Sequence, residues 1–246
     1  MAHPISELVG RASRPSAAAL AGWVALIAGH IASASAADPV SPPPLVVSIG
    51  DSIAYGFGAP APATQSYAAR YARAVGARLL NLAVPGVSCA DVAAVQVPKV
   101  PRDARLIIVN CGTNDVGGFG LLSSGLPNGR ARVAPANDAQ MVVAERGFTR
   151  MIAVLRRAAP RARIAVVNLR HWERMTGPEA PQFARDVDAW NAMLAATGLR
   201  VVDISADRRL YRSRYIERDL LHPNADGYLA IADDVCRAAH AATSAG

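Results

Sequence analysis

Five short apolar runs, separated by longer amphipathic stretches, constrain the fold of this chain more than any other feature. Each run is rich in Val, Ile and Leu and mostly apolar throughout, without the alternation of a half-exposed strand. Such runs are typical of strands that are covered on both faces. We therefore predict five strands, at Leu45–Ile49, Arg78–Ala83, Arg105–Val109, Arg163–Leu169 and Leu199–Ile204.

Four amphipathic stretches have the spacing of helices. A strand–helix–strand order that repeats along the chain predicts an α/β fold with a parallel sheet and right-handed crossovers. The length of 246 residues, 52% of them hydrophobic, favours one sizeable domain. The predicted helices and their core-facing residues are Gln65–Gly76 (Tyr67, Tyr71, Val75), Asp138–Ala159 (Met141, Val142, Phe148, Ile152, Leu155), Pro181–Thr197 (Val187, Trp190, Leu194) and Asn224–Ala242 (Tyr228, Ile231, Val235).

Residues 1–37 have the order of regions that is typical of an export signal. Arginines precede an apolar stretch over Ser16–Ile31, and Ala34-Ser35-Ala36 supplies a small-residue cleavage pattern. The apolar stretch is shorter than the roughly 20 residues of a membrane-spanning helix. We expect cleavage after Ala36 or Ala37, with an uncleaved membrane anchor as the alternative. The mature protein would then be secreted or periplasmic, with a Pro-rich spacer over residues 38–44 and one domain over residues 45–246.

The net charge of +7 does not indicate a nucleic-acid partner. The chain has 26 basic residues, but only Lys99 is a lysine and the arginines are scattered rather than clustered. No basic run, zinc-finger spacing or aromatic–basic ribonucleoprotein motif accompanies them. We expect no nucleic-acid partner, and we expect a monomer.

The three cysteines leave two interpretations open. Cys89 and Cys111 each follow a predicted strand and can lie near each other, and export permits a disulfide. All three, including Cys236, can equally be small buried hydrophobic residues. The sequence has no CxxC and no His/Cys cluster with metal-ligand spacing, so we expect no metal ion.

Three polar motifs carry the chemistry. Gly50-Asp51-Ser52 and Gly112-Thr113-Asn114-Asp115 each follow an apolar run, and Asp219-Leu220-Leu221-His222-Pro223 lies near the C-terminus. Ligands bind at the carboxyl ends of the strands in open parallel sheets. A serine hydroxyl there is a weak nucleophile that needs a base within hydrogen-bond reach. The motifs together therefore predict acyl transfer through a serine ester, with Ser52 as the nucleophile.

His222 is the best candidate for the base among the five histidines. His3 and His30 lie in the leader, His240 lies near the C-terminus, and His171 lies in a loop with no adjacent carboxylate at helpful spacing. Asp219 precedes His222 by three residues and can accept the Nδ1 proton. Nε2 is then left to accept the proton of the serine.

The oxyanion of a tetrahedral intermediate needs donors that are fixed in advance. We assign the backbone N–H of Ser52, the backbone N–H of Gly86 and the side-chain amide of Asn114 to this role. Glycine at position 86 lets the backbone approach a ligand closely. We expect Asp51 to be structural, whereas Asp115 can either orient the substrate or cap a turn.

These residues resemble the four sequence blocks of the GDSL, or SGNH, hydrolase family of esterases and lipases. Ser52, Gly86 and Asn114 match the first three blocks, and Asp219 with His222 matches the last. Ile53 replaces the leucine of the first motif, which is a conservative apolar change. The resemblance covers residues 45–228 and implies a three-layer, flavodoxin-like fold, a five-stranded parallel sheet of order 2-1-3-4-5, and no metal or cofactor.

Three functions fit this site. The first is hydrolysis of a small-molecule or lipid carboxylic ester through an acyl-enzyme on Ser52. The second is acyl transfer to another acceptor or deacetylation of a carbohydrate, and the third is a non-catalytic secreted binding domain. Two loops rich in Gly, Pro or polar residues, Gly117–Ala136 and His171–Pro181, are expected to shape the cleft. Candidates for an acyl pocket are Tyr55, Phe57, Phe119 and Trp172, although aromatic residues near a site belong to the core more often.

Overall fold

The computed structural model describes residues 42–117, 136–172, 178 and 180–240. The leader, Phe119 and most of the two loops predicted to shape the cleft lie outside the described residues. The proposed boundaries of leader, spacer and domain therefore stay predictions.

A five-stranded parallel sheet forms the centre of the domain, in the order β2-β1-β3-β4-β5. This confirms the predicted fold class and strand order. β1 lies in the interior of the sheet and is buried at all six positions, which explains its unbroken apolar run. The strands are β1 (Leu45–Gly50), β2 (Arg78–Asn81), β3 (Leu106–Asn110), β4 (Arg163–Val167) and β5 (Arg200–Val202).

Helices connect these strands. Their boundaries are α1 (Ser52–Tyr55), α2 (Pro62–Gln65), α3 (Tyr67–Ala74), α4 (Cys89–Asp91), α5 (Asp138–Ala158), α6 (Ala180–Ala196) and α7 (Ala225–His240). A π-helical turn at Val92–Gln96 and a 3-10 turn at Val97–Lys99 continue α4, and two more 3-10 turns, Arg208–Tyr211 and Ser213–Tyr215, precede α7.

Two apolar layers cover the two faces of the sheet. Alternate residues of a strand point to opposite faces. On one face Val47 belongs to a cluster with Phe148 of α5 and Trp190 of α6. On the other face Val46 belongs to a cluster with Tyr67 of α3 and Tyr228 of α7. The arrangement is therefore a three-layer α/β/α domain.

Two residues predicted to face the core are exposed instead. Val75 lies just after the last residue of α3 and is 39% exposed, because the chain leaves the helix there. Val142 of α5 is 44% exposed, and Met151 of the same helix is fully buried. The buried stripe of α5 therefore runs from Met141 through Ala144, Phe148, Met151, Ile152 and Leu155.

Three strands end earlier than their apolar runs predict, and a side-chain amide bonds the backbone just beyond the end of each. After β2, the side chain of Asn81 accepts the N–H of Ala83. After β5, the N–H of Ile204 donates to the side-chain oxygen of Asn168 at 2.8 Å. After β4, Asn191 of α6 pairs with both backbone groups of Leu169, at 2.9 and 2.7 Å.

Cys89 and Cys111 form a disulfide, which resolves the two interpretations left open by the sequence for this pair. The bond joins the first residue of α4 to the residue that follows β3. Within the part of the chain that the structure describes, no helix has both the length and the apolar character needed to cross a membrane.

Candidate active site

Ser52 lies at the carboxyl edge of the sheet, at the first residue of α1. The chain turns sharply here because Gly50 has φ +138° and lies against β3. A Cβ at Gly50 would lie 1.9 Å from the carbonyl oxygen of Asn110, so only glycine fits. Asp51 then caps α1, since its Oδ1 accepts the N–H of Ile53 at 3.0 Å. These contacts direct Ser52 from the end of β1 toward the cleft side of the sheet.

Gln96 fixes the same turn and was missed by sequence reasoning. Its Oε1 accepts the N–H of Gly50 and its Nε2 donates to the carbonyl oxygen of Gly50, both at 2.8 Å. The pairing spans 46 positions and Gln96 is buried in an otherwise apolar turn. A lone glutamine in a Val-Gln-Val sequence gives no local indication of this contact.

The structure brings Ser52, His222 and Asp219 into one chain of hydrogen bonds. Ser52 Oγ lies 2.8 Å from His222 Nε2, and His222 Nδ1 lies 2.5 Å from Asp219 Oδ2. The carboxylate can only accept, so Nδ1 carries the proton and the neutral ring presents Nε2 as an acceptor to the serine hydroxyl. The serine and the imidazole are both buried. The arrangement can remove a proton from Ser52 and stabilise the imidazolium that forms.

Asp219 also organises the turn that carries the imidazole. Its Oδ1 accepts the backbone N–H groups of Leu221 and His222, each at 2.9 Å. Burial acts to raise the pKa of Asp219, but the hydrogen bonds from the side chain and backbone of His222 outweigh it. The pKa therefore lies below its usual value. The carboxylate stays ionised at neutral pH, as a partner of Nδ1–H must be.

Arg170, just after β4, holds the same turn and was also missed. Its guanidinium donates to the carbonyl oxygens of Leu220 and Leu221, at 3.3 and 2.9 Å, and to that of His171 at 3.2 Å. Leu220 has φ +65°, which a residue with a Cβ rarely adopts. An arginine that ends an apolar run at the carboxyl edge of the sheet was the one available indication of this role.

The candidate oxyanion donors lie on three segments. An N–H at the first residue of a helix has no intrahelical partner, which applies to Ser52 in α1. Gly86 is exposed with φ +82°, and a Cβ there would meet no described heavy atom within 4 Å. Asn114 donates one amide hydrogen to the carbonyl oxygen of Val87 at 2.9 Å, and an amide has a second hydrogen to offer.

A buried carboxyl group, Asp51, and a half-buried one, Asp115, flank the site. Burial raises the pKa of Asp51 to about 7, against the opposing effects of the Ile53 N–H and of His222. Burial also raises the pKa of Asp115 to about 6, against the N–H of Cys89, which donates to both Asp115 oxygens at 3.0 and 3.2 Å. Of the two roles left open for Asp115, the structure therefore supports that of fixing a turn.

Aromatic residues near the site separate into two groups. The Phe57 ring lies 4.6 Å from the His222 ring and is about half exposed, so it forms one wall beside the imidazole. Tyr55 is also exposed. Trp172 instead stacks on Phe183 of α6 at 4.6 Å. Both line a narrow cavity together with Ile53, Thr113, Leu169 and Val187.

His171 has a carboxylate partner that local spacing does not reveal. Its Nε2 lies 2.9 Å from Oδ1 of Asp188, 17 positions away on α6. The Asp188 side chain is mostly exposed and that of His171 is 35% exposed, and the imidazole that contacts Ser52 is that of His222. Among the described residues, no group of three His, Cys, Asp or Glu side chains is arranged to hold a metal ion.

Comparison with known proteins identifies the family of the chain. The GDSL-like Lipase/Acylhydrolase family matches residues 48–230. No sequence among the curated proteins matches the chain. Many solved structures share its fold, among them the following three at low sequence identity.

The first of these is an extracellular lipase from Streptomyces rimosus, with TM-score 0.60, 19% identity and coverage of 77% of this chain and 98% of that chain. The second is a carbohydrate esterase family 2 enzyme from Corynascus thermopiles (Myceliophthora fergusii), with TM-score 0.59, 19% identity and coverage of 84% and 69%. The third is the salicylyl-acyltransferase SsfX3 of a tetracycline biosynthetic pathway, with TM-score 0.54, 20% identity and coverage of 84% and 57%.

Proposed function

Because the chain belongs to the GDSL-like lipase/acylhydrolase family, we propose that it is a serine esterase that cleaves carboxylic esters through an acyl-enzyme on Ser52. One observation carries the proposal. Ser52 Oγ, the His222 imidazole and the Asp219 carboxylate are joined in sequence by hydrogen bonds of 2.8 and 2.5 Å. A serine that is hydrogen-bonded to a base, with the base oriented by a third group, is the arrangement that activates a hydroxyl nucleophile.

In the acylation step, Ser52 Oγ attacks the carbonyl carbon of the ester while His222 Nε2 takes the hydroxyl proton. Asp219 stays ionised and stabilises the imidazolium. The carbonyl oxygen becomes an oxyanion, which accepts hydrogen bonds from the N–H groups of Ser52 and Gly86 and from the amide of Asn114. The bond to the alcohol oxygen then breaks, and the alcohol leaves with the proton held on Nε2.

Deacylation repeats these steps with water in place of the serine. His222 removes a proton from the water, the hydroxide adds to the acyl carbon, and the Ser52 ester bond breaks. The proton returns to Ser52 Oγ as the carboxylic acid leaves. Each proton transfer uses the same atom, His222 Nε2, which is why one imidazole within reach of Ser52 is sufficient.

Acyl transfer and carbohydrate deacetylation are the second candidates. The structural likeness to SsfX3 and to the carbohydrate esterase favours keeping both, because the same serine, histidine and donors serve either reaction. Hydrolysis with glycerol or a sugar present, followed by mass spectrometry of the products, distinguishes water from another acceptor. A series of p-nitrophenyl esters of increasing acyl length separates an acetylesterase from a lipase. A non-catalytic binding domain is less well supported, since no member of the predicted triad is missing.

The proposal includes export of a monomer to the cell exterior or the periplasm, after removal of residues 1–37. The export pattern at the N-terminus supports it, as does the Cys89–Cys111 disulfide, because disulfides persist in oxidising compartments. The S. rimosus relative is itself extracellular. N-terminal sequencing of the mature protein tests the cleavage, and light scattering during size-exclusion chromatography tests the monomer. An intact N-terminus would favour a retained anchor.

Reaction with a serine-directed phosphonate tests the proposed function. We expect one adduct per chain, located at Ser52 by peptide mass spectrometry, with loss of activity in proportion to labelling. Ser52→Ala should take up none. An active protein that labels at another serine would overturn the assignment of Ser52, and a protein that neither labels nor hydrolyses any ester would overturn the proposed function.

A further inference from the structure

Two of the candidate oxyanion donors, Asn114 and Gly86, lie on segments that differ in how closely they pack against the core. Asn114 follows β3, and its segment rests on the core: a Cβ at Gly112 would lie 2.5 Å from the buried Trp190 ring. Gly86 follows β2 in a segment that is exposed at Val84, Pro85 and Gly86. A donor must lie about 2.7–3.1 Å from the developing oxyanion to stabilise it. The exposed segment that carries Gly86 must therefore be held against the segment that carries Asn114, which packs on the core.

Three links join these two segments, and all lie within residues 87–89 and 111–115. The Cys89–Cys111 disulfide is the covalent one. The Asn114 amide donates to the carbonyl oxygen of Val87 at 2.9 Å, and the Cys89 N–H donates to the Asp115 carboxylate at 3.0 Å. We refer to these three as the inter-loop links.

Each link lies within three residues of both donors. Val87 follows Gly86 directly, so the bond from Asn114 fixes the peptide beside Gly86 and orients the Asn114 amide at the same time. Asp115 follows Asn114 directly and holds the start of α4. Both cysteines are buried in the core cluster that contains Trp190. The segment that carries Gly86 is therefore held in place by the same core that holds Asn114.

We infer that the inter-loop links hold the Gly86 and Asn114 donors at the spacing that the oxyanion requires. Asp115 and the Cys89–Cys111 disulfide are then positioning groups for the reaction. The inference rests on the proposed esterase function. Loss of a link should lower kcat and leave KM nearly unchanged, because the donors act on charge that exists only in the transition state.

The disulfide is tested with Cys89→Ser/Cys111→Ser, assayed well below its unfolding temperature. We expect kcat to fall roughly 10- to 100-fold, since misplacement of a donor by about 1 Å costs that much. The second-order rate of phosphonate labelling at Ser52 should fall in parallel, with KM within about twofold. Cys236→Ala, which leaves the disulfide intact, should behave as wild type. A lower unfolding temperature with unchanged kcat would mean a structural role only and would overturn the inference.

Reduction of the wild-type enzyme gives the same test without a substitution. Dithiothreitol breaks the S–S bond by thiol–disulfide exchange, leaving two cysteine thiols while the reagent closes to its cyclic disulfide. Once a thiol count shows that the bond is reduced, kcat should fall as in the double variant, and re-oxidation should restore it. The double variant should not respond to the reagent. Full kcat in the reduced, folded enzyme would contradict the inference.

Asp115 gives a test that leaves the disulfide in place, which matters if the double variant does not fold. Asp115→Asn keeps an oxygen that accepts the Cys89 N–H, so its kcat should stay within a few-fold of wild type. Asp115→Ala removes the acceptor and should lose roughly tenfold or more in kcat. Equal kcat in wild type and Asp115→Ala would contradict the inference. An active wild type with unaffected variants overturns the inference alone, whereas an inactive wild type overturns the proposed function.

Discussion

The two turns that meet at the candidate site are supported in different ways. The nucleophile turn, residues 50–53, continues the buried strand β1 and is fixed by backbone groups of the sheet and by Gln96. The base turn, residues 216–223, lies beyond the last strand. A backbone bridge between Ile216 and Pro223 closes it, and side chains fix it further. Asp219 accepts two of its backbone N–H groups and Arg170 binds two of its carbonyl oxygens, while the Asp219 side chain is 42% exposed.

Because of this difference, substitutions in the two turns should affect different properties. A substitution that distorts the nucleophile turn also distorts the sheet, so it should lower the free energy of unfolding. A substitution that distorts the base turn displaces the His222 imidazole but leaves the sheet intact, so it should lower kcat while the protein stays folded. The sequence distinguishes the two as well: the first turn follows an apolar run, whereas the second is recognisable only from the Asp-x-x-His spacing.

Gly50→Ala should have the largest effect on stability. The new Cβ would overlap the Asn110 carbonyl at 1.9 Å with φ at +138°, and we expect a loss of about 4 kcal/mol or more in the free energy of unfolding. Gly86→Ala is the matched control. Gly86 also has a positive φ, but a Cβ there enters open space, so the free energy of unfolding should fall by only about 1 kcal/mol. Urea denaturation of both variants measures the difference. Similar losses would mean that the close approach of Gly50 to β3 does not support the nucleophile turn.

Asp219→Asn should have the largest effect on activity within the base turn. The new side chain keeps an oxygen for the backbone N–H groups but cannot accept the Nδ1 proton through its amide nitrogen, so the imidazole takes the wrong tautomer. We expect kcat to fall by about 10³-fold or more with little change in unfolding temperature. Asp188→Asn, which alters the His171 pair instead, should leave kcat unchanged. If both variants had equal kcat, Asp219 would not orient the base.

Much of the fold and the main residues of the site could be predicted because their evidence is local. Leu45–Ile49 and Arg105–Val109 are buried apolar runs, and Asp219 lies three positions from His222. Gln96, Arg170 and the Asp188 partner of His171 could not be predicted, since each acts over 17 to 51 positions and local composition does not specify such contacts. Strand ends after β4 and β5 were missed for the same reason, because remote side-chain amides bond the backbone just beyond them.

Arg170→Lys should give an intermediate effect on activity. An ammonium cannot reproduce the planar fork that reaches the carbonyl oxygens of Leu220 and Leu221 together with that of His171. We expect roughly a tenfold lower kcat, with the sheet intact by circular dichroism. Full kcat in this variant would mean that the base turn is held without the Arg170 guanidinium.

The pH dependence of stability should show a gradual effect in the nucleophile turn, spread over several pH units. The pKa of Asp51 is raised to about 7 when folded, against its usual 3.8, so the folded state favours the neutral acid. Its contribution to stability is complete below about pH 4 and is lost as pH rises through 7, at a slope of at most about 1.4 kcal/mol per pH unit. Asp51→Asn should be flatter over this window in urea denaturation.

Other ionisable groups lie near Asp51 and act on the same pH range. His222 lowers the pKa of Asp51, Asp115 raises it, and the nearby Tyr67 and Tyr228 titrate well above this window. The pKa of Asp115 is itself raised to about 6, so part of the slope should remain in Asp51→Asn. An identical pH profile for wild type and variant would show that Asp51 does not titrate in this range.

A double-mutant cycle on Ser52 and His222 is the most direct test that the two turns form one catalytic unit. Ser52→Ala and His222→Ala should each lower kcat for an activated short-chain ester by roughly 10⁴-fold or more, and the double variant should lose no more than either single variant. Losses that multiply in the double variant, or near-wild-type turnover in Ser52→Ala, would contradict the account.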